Sequence, residues 1–154
     1  MEKSLVVAKA LYDMYAERTH SSMDEMKMHK LMYFAQRESL VNTSAPLFQE
    51  SFYGWKFGPV LKTVRSEYAT GQKFAHVTGM AQPETKELLN GVLDRYGDVS
   101  SWKLSNLSHD ELFWKMARRG LKPSDNGDVE LTLSGMMLDA VKERAARKAQ
   151  AACR

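Results

Sequence analysis

Along most of the chain, apolar residues recur every third or fourth position between short breaks rich in Gly, Pro, Ser and Asn, the pattern of amphipathic helices joined by turns. A first helix is predicted from Glu2 to Arg18, with Leu5, Ala8, Leu11, Tyr12 and Tyr15 on one face. A second runs from about Asp24 to Val41. Its core stripe is Met28, Leu31, Met32 and Ala35, widened by Tyr33 and Phe34, and Asn42-Thr43-Ser44-Ala45-Pro46 breaks it. Phe48 to Phe57 is dense in aromatics but alternates imperfectly, which favours an extended strand or a buried loop. Trp55 and Phe57, beside the bend at Gly58-Pro59, read as either core anchors or exposed hot-spot residues; the core reading is preferred, with the Trp55–Val60 junction packing against the second helix. Pro59 suits the first position of a third helix, where its missing N–H would be unpaired anyway. That helix turns Val60, Leu61, Val64 and Tyr68 inward and closes at Gly71.

The second half continues the pattern. A fourth helix begins near Pro83, carries Leu88, Leu89, Val92, Leu93 and Tyr96 on one stripe, and stops at Gly97. Asp98 is positioned to cap a short helical turn with Trp102 and Leu104. Ser108 and Glu111 have capping-box spacing and predict a fifth helix burying Leu112, Phe113 and Met116, closed by Gly120. Lys122 to Asp128 is a surface loop, Val129 to Leu133 a short strand, and Ser134 is placed to cap a last helix from Gly135 to about Ala149 with Met137, Ala140 and Val141 inward. The expectation is mainly α: one compact helical domain spanning residues 1–154, about six helices, and at most a short two-stranded β element.

Composition narrows the class. The chain has 154 residues, 44% apolar and 27% charged, enough for a proper core and close to the globular average. No apolar run approaches the roughly 20 residues of a bilayer span, and the opening Met1-Glu2-Lys3-Ser4 lacks a signal-peptide pattern. The single cysteine, Cys153, cannot form an internal disulfide, so a cytoplasmic location is expected. The net charge of +3 is unevenly placed: Lys142, Arg144, Arg147, Lys148 and Arg154 stand against Glu143 in the last fourteen residues. The remaining 140 residues hold 17 basic and 18 acidic side chains. The basic excess therefore belongs to the C-terminal helix and tail, 135–154, where it complements that helix's own macrodipole. The body shows no strong footprint for nucleic acid.

Catalytic spacing is absent. There is no P-loop, dinucleotide fingerprint, H-E-x-x-H or G-x-S-x-G pattern, so neither an enzyme nor a cofactor or metal site is expected. His29 reads as a solvated or partly packed ring, His109 as a helix-end hydrogen bonder, and Ser108 as a cap before a nucleophile. Most of the ten methionines fall on core stripes. Lys30 reads as a solvated residue on a helix whose other face is buried.

Two blocks carry more information than composition. The first is Met28-His29-Lys30-Leu31-Met32-Tyr33-Phe34-Ala35-Gln36, then Pro46-Leu47-Phe48-Gln49-Glu50, then Gly54-Trp55-Lys56-Phe57-Gly58-Pro59-Val60. The second is Leu93-Asp94-Arg95-Tyr96-Gly97, then Trp102 through Glu111 with Leu104-Ser105-Asn106-Leu107-Ser108-His109 inside it, and Trp114. In order and spacing, over roughly residues 24–118, they resemble the SocA-like antitoxin family, or Panacea domain, with its K-L-x-Y-[FY]-A-Q, P-L-F-x-E, W-x-[YF]-G-P-V and L-S-x-L-[ST]-H elements. Phe113 stands before Trp114 where the family often has proline, which bears on where the fifth helix starts. The resemblance implies a small, phage-associated antitoxin that neutralises a cognate toxin protein by direct binding. An adaptor delivering the toxin to a AAA+ protease, or a DNA-binding regulator, is the alternative. On this reading the candidate partner contacts are Lys30, Tyr33, Gln36, Trp55, Lys56, Phe57, His109 and Trp114.

Overall fold

A computed structural model describes residues 1–153. The elements are α1 (Ser4–Thr19), α2 (Glu25–Thr43), β1 (Phe52–Trp55), β2 (Gly58–Leu61), α3 (Lys62–Thr70), α4 (Pro83–Tyr96), α5 (Ser101–His109), α6 (Leu112–Ala117) and α7 (Leu133–Ala152). The fold is mainly α, as the periodicity predicts, with seven described helices rather than about six. The extra one is α5, a full helix where the sequence indicated only a turn.

Helix α2 is the axis of the molecule. Every residue from Lys27 to Arg37 is buried, and α1, α3, α4, α5, α7 and β2 all pack against it. A helix buried all round must satisfy each polar side chain it carries, and those partners organise the fold. Gln36 clamps the Pro46-Leu47-Phe48 turn: its Oε1 accepts from Leu47 N at 2.7 Å, and its Nε2 donates to the Phe48 carbonyl at 2.9 Å. His29 Nδ1 accepts from Leu61 N at 3.2 Å, so its Nε2 carries the proton and donates to Glu25 at 3.1 Å. Burial pushes the pKa of this ring down. Lys27 reaches the Gly97 carbonyl behind α4 at 3.0 Å.

The segment after Phe48 departs from the prediction. Gly58-Pro59 does not open a helix. It opens β2, which pairs antiparallel with β1 in the register Trp55↔Gly58 and Phe52↔Leu61. Val60 and Leu61 are buried as expected, but on a strand. Gly58 makes the tight return possible, with φ +118 and Ser108 Oγ, Lys30 Cε and Lys30 Nζ all within 2.8 Å of where a Cβ would sit. Gly58→Ala is therefore expected to cost at least about 2 kcal/mol, from backbone strain and the clash together; denaturant unfolding measures it, and an unchanged midpoint would refute the strained turn. The predicted strand near Val129 forms only a bridge, Tyr53↔Glu130, with Gly54 N bonding Val129 O at 2.9 Å and Leu131 N bonding Phe52 O at 2.8 Å. Gly54 also lets α6 approach β1, since a Cβ there would lie 2.9 Å from that of Ala117.

Several caps come from distant parts of the chain. Ser108 is no capping-box residue: it lies in the last turn of α5, and its hydroxyl donates to Ser105 O at 2.7 Å. Ser100, not Asp98, caps α5. Thr132, not Ser134, caps α7. The amides at the start of α6 are taken by Asp139 of α7, at 2.9 Å to Leu112 N and 3.0 Å to Phe113 N. Phe113 donates its amide to this cap, which a proline at that position could not do. The basic tail also has work other than its own helix end. Arg144 donates to Leu40 O and Val41 O, both at 2.9 Å, at the C-terminus of α2, and Arg147 forks onto Glu38 at 2.7 and 2.8 Å. No described helix is long and apolar enough to cross a membrane.

Candidate functional site

Of the eight residues singled out in the sequence, three lie inside the fold. Tyr33 is fully buried, stacked on Phe113 at 5.0 Å and edge-on to Phe52. Gln36 is the clamp already described. Lys30 is 1% exposed, not a solvated surface residue, and lies beneath Gly58. Burial lowers its pKa to about 8, with Glu25 opposing. A buried ammonium is a liability to the folded state. Lys30→Met should therefore be at least as stable as the parent at pH 7. Because the folded-state pKa is depressed, the parent gains stability as pH climbs from about 8 toward the ordinary 10.5, and the variant's advantage should narrow there. A large loss of thermal stability in Lys30→Met at pH 7 would contradict this account.

Of the other five, Lys56, Phe57, His109 and Trp114 gather around the hairpin tip, and Trp55 joins them through its backbone carbonyl while its indole turns toward Asp128. The two-residue tip between β1 and β2, Lys56-Phe57, is pinned to α5 by the Ser105 hydroxyl, which donates to the Phe57 carbonyl. Phe57 is 45% exposed and Trp102 61% exposed, and their ring centroids are 6.2 Å apart. The Lys56 ammonium lies 5.1 Å from the Phe57 ring. Behind them His109 stacks flat on Trp114, 4.0 Å between centroids and 8° between planes. Trp114 Nε1 donates to Trp55 O at 3.0 Å, and the Arg118 guanidinium lies 5.7 Å from the indole. Burial and the Lys30 charge hold the His109 pKa below its ordinary value, the Phe57 carbonyl opposing. Trp55 is half-buried and donates to Asp128 at 3.1 Å. The expectation that Trp55 and Phe57 are core anchors is thus corrected: alternation along β1 gives the inward positions to Phe52 and Gly54.

The result is an aromatic ledge of Phe57, Trp102 and Trp114, backed by His109 and carried by α5, α6 and the hairpin tip. Its exposed charges are chiefly cationic, with Lys103 and Lys115 beside Asp110, and Lys56 is half-buried. Such rings offer area for a protein partner at low ordering cost. The sequence places Trp102 only on a short helical turn with Leu104, and its partnership with Phe57, 45 residues away, has no local signal. Among the described residues no group of three or more His, Cys, Asp or Glu is placed to hold a metal.

A family model described as antitoxin SocA-like, Panacea domain matches residues 28–115. This is more than half of the chain, and it spans α2, the hairpin and the ledge. The protein belongs to the SocA-like antitoxin family. No curated protein and no solved structure matches the chain.

Proposed function

We propose that this protein is an antitoxin that binds a cognate toxin and masks it, and that the ledge of Phe57, Trp102, Trp114 and His109 is part of the binding surface. Family membership supports the antitoxin role. The observation that carries the choice of surface is the pair of large exposed rings, Phe57 on the hairpin tip and Trp102 on α5, packed against each other. Monomeric proteins expose contiguous apolar patches chiefly where something docks. Lys56, Trp55 and Trp114 then contact the partner or frame the ledge. Lys30, Tyr33 and Gln36 act from beneath, holding the hairpin and the Pro46-Leu47-Phe48 turn in place. The role is binding, not catalysis.

The test is coexpression with the product of the adjacent gene. Growth inhibited by that product alone should be restored by this protein, with the toxin's half-life steady or lengthened. A shortened half-life, with rescue dependent on a AAA+ protease, would favour delivery for degradation over masking. Failure to rescue a toxic neighbour would count against the antitoxin reading itself.

A further inference from the structure

The outward line of α7 is apolar. Leu138 and Val141, three apart, are 56% and 50% exposed, and Ala145, Ala149 and Ala152 continue the line, all exposed. At 3.6 residues per turn these positions fall within about 40° of one line along the helix, and Lys142 and Lys148 lie about 60° to either side of it. The sequence predicts Val141 to be core, as it does Leu112 and Met116 of α6, and the structure turns all three outward. The inward side of α7 carries Gly135, Met136, Asp139 and Ala140, all buried, and the helix packs on α2 and α6.

A solvated helix sets its charges on the side away from the core. Helix α7 keeps most of its charges off that side. Both of its carboxylates turn inward: Asp139 caps α6, and Glu143 is held by Arg147 at 3.0 Å and Arg95 at 3.7 Å. Arg144 bonds the last carbonyls of α2, and Arg147 forks onto Glu38. Lys142 and Lys148 are left as the exposed charges that border the ridge, one on each side. A second copy of this chain, packed ridge to ridge in either direction, would meet lysine with lysine along its flanks and no carboxylate, and like charges in contact disfavour association. Two aliphatic side chains and a run of alanines are also far short of the Trp, Phe and Leu face that seats a helix in a bilayer.

We infer that the outward ridge of α7 packs against a helix of the partner protein, one whose aliphatic stripe is bordered on both sides by glutamate or aspartate. Leu138 and Val141 enter the grooves of that helix, and the alanines after them let its backbone approach toward the close end, about 8 Å, of helix–helix separations. Its acidic borders meet Lys142 and Lys148, as charges flanking an apolar seam do in paired helices. This rests on the reading that the protein acts by binding a partner. It adds the chemistry of the partner's recognition element and places a contact away from the ledge, on residues past the family match.

The test uses the full chain and three synthetic helix-forming peptides: leucines at i, i+3, i+7 and i+10 flanked by glutamates, the same leucines flanked by lysines, and a scrambled acidic control. In fluorescence anisotropy the glutamate-flanked peptide should bind at least about tenfold tighter than either other peptide, and added salt should weaken it. Leu138→Glu/Ala145→Glu should lose at least about tenfold in affinity for it, with a melting curve inside the range of surface substitutions. Lys142→Glu/Lys148→Glu should exchange the preference, binding the lysine-flanked peptide more tightly. Met80→Glu, on a distant exposed segment, should bind like the parent. Equal binding of acidic and basic peptides, binding by none of them, or no effect of either double variant would overturn the inference. So would a dimer in sedimentation equilibrium, or sedimentation with phosphatidylserine-containing vesicles, that Leu138→Glu/Ala145→Glu abolishes. A toxin still captured by the parent when the peptides fail would sink the ridge and leave the antitoxin reading standing.

Discussion

Arg37→Met should destabilise the protein by about 3–5 kcal/mol, the usual consequence of removing one member of a buried ion pair. Arg37 on α2 bonds the Glu111 carboxylate, both side chains being almost fully buried, donates to Tyr96 Oη at 2.9 Å and lies 4.9 Å from the Phe34 ring. Glu111 immediately precedes α6, so this pair ties α6 to the central helix and to α4. Removing Arg37 leaves a carboxylate in an apolar site beside Tyr33 and Phe113. Burial already raises the Glu111 pKa, so the folded state takes up its proton more readily than the unfolded chain does. The variant's deficit should therefore shrink as pH falls toward the carboxyl range. Arg37→Met/Glu111→Leu should recover most of the lost stability, because the desolvated charge goes with its partner. Thermal melts of the single and double variants at two pH values check this. A single variant that melts with the parent would show that the pair does not hold α6.

Phe57→Ala and Trp102→Ala should each weaken toxin binding by about 2 kcal/mol or more, roughly thirtyfold, while leaving the melting temperature within the small range of surface substitutions. Both rings are substantially exposed and make few core contacts, so truncation removes area offered to the partner and little that holds the fold. The combination separates a docking role from a structural one. Trp55→Ala should behave differently. It loses the Asp128 bond and half-buried contacts, and should cost less than the 3–5 kcal/mol of emptying a fully buried aromatic site. Titration of the toxin into each variant gives the binding terms, and calorimetric melting gives the stability terms. Wild-type affinity in the Phe57→Ala/Trp102→Ala pair would remove the ledge from the interface.

The helical plan was legible in the sequence because local periodicity and punctuation agree with the tertiary result. The stripes of α1, α2 and α4 are buried much as predicted, and Pro83 and Gly97 bound α4. The motif blocks were legible as family features, but their physical reasons were not. His29, Lys30, Tyr33, Gln36 and Arg37 each reach a segment 11 to 74 residues away or pack against one, and spacing along one helix cannot show that. The hairpin is not legible in the sequence, because Gly58-Pro59 resembles a helix start, whereas the decisive fact is the close passage of Gly58 over Lys30 and Ser108. Caps supplied by Asp139 and Arg144 are invisible to a local reading for the same reason. Exposure was the hardest to read. A period of three to four says that Leu112, Met116 and Val141 share a face with other apolar residues, but it does not say whether that face meets the protein's own core or another molecule. The residues left facing outward, with Phe57 and Trp102, are those that a binding protein has reason to expose.

The central claim, that this chain works by gripping a toxin, is tested most directly by copurification. The tagged protein should carry the product of its adjacent gene through affinity capture and size exclusion as one stable complex, and Phe57→Ala/Trp102→Ala should lose it while remaining folded. If the two proteins run apart, and the neighbour proves harmless when expressed alone, the account is contradicted.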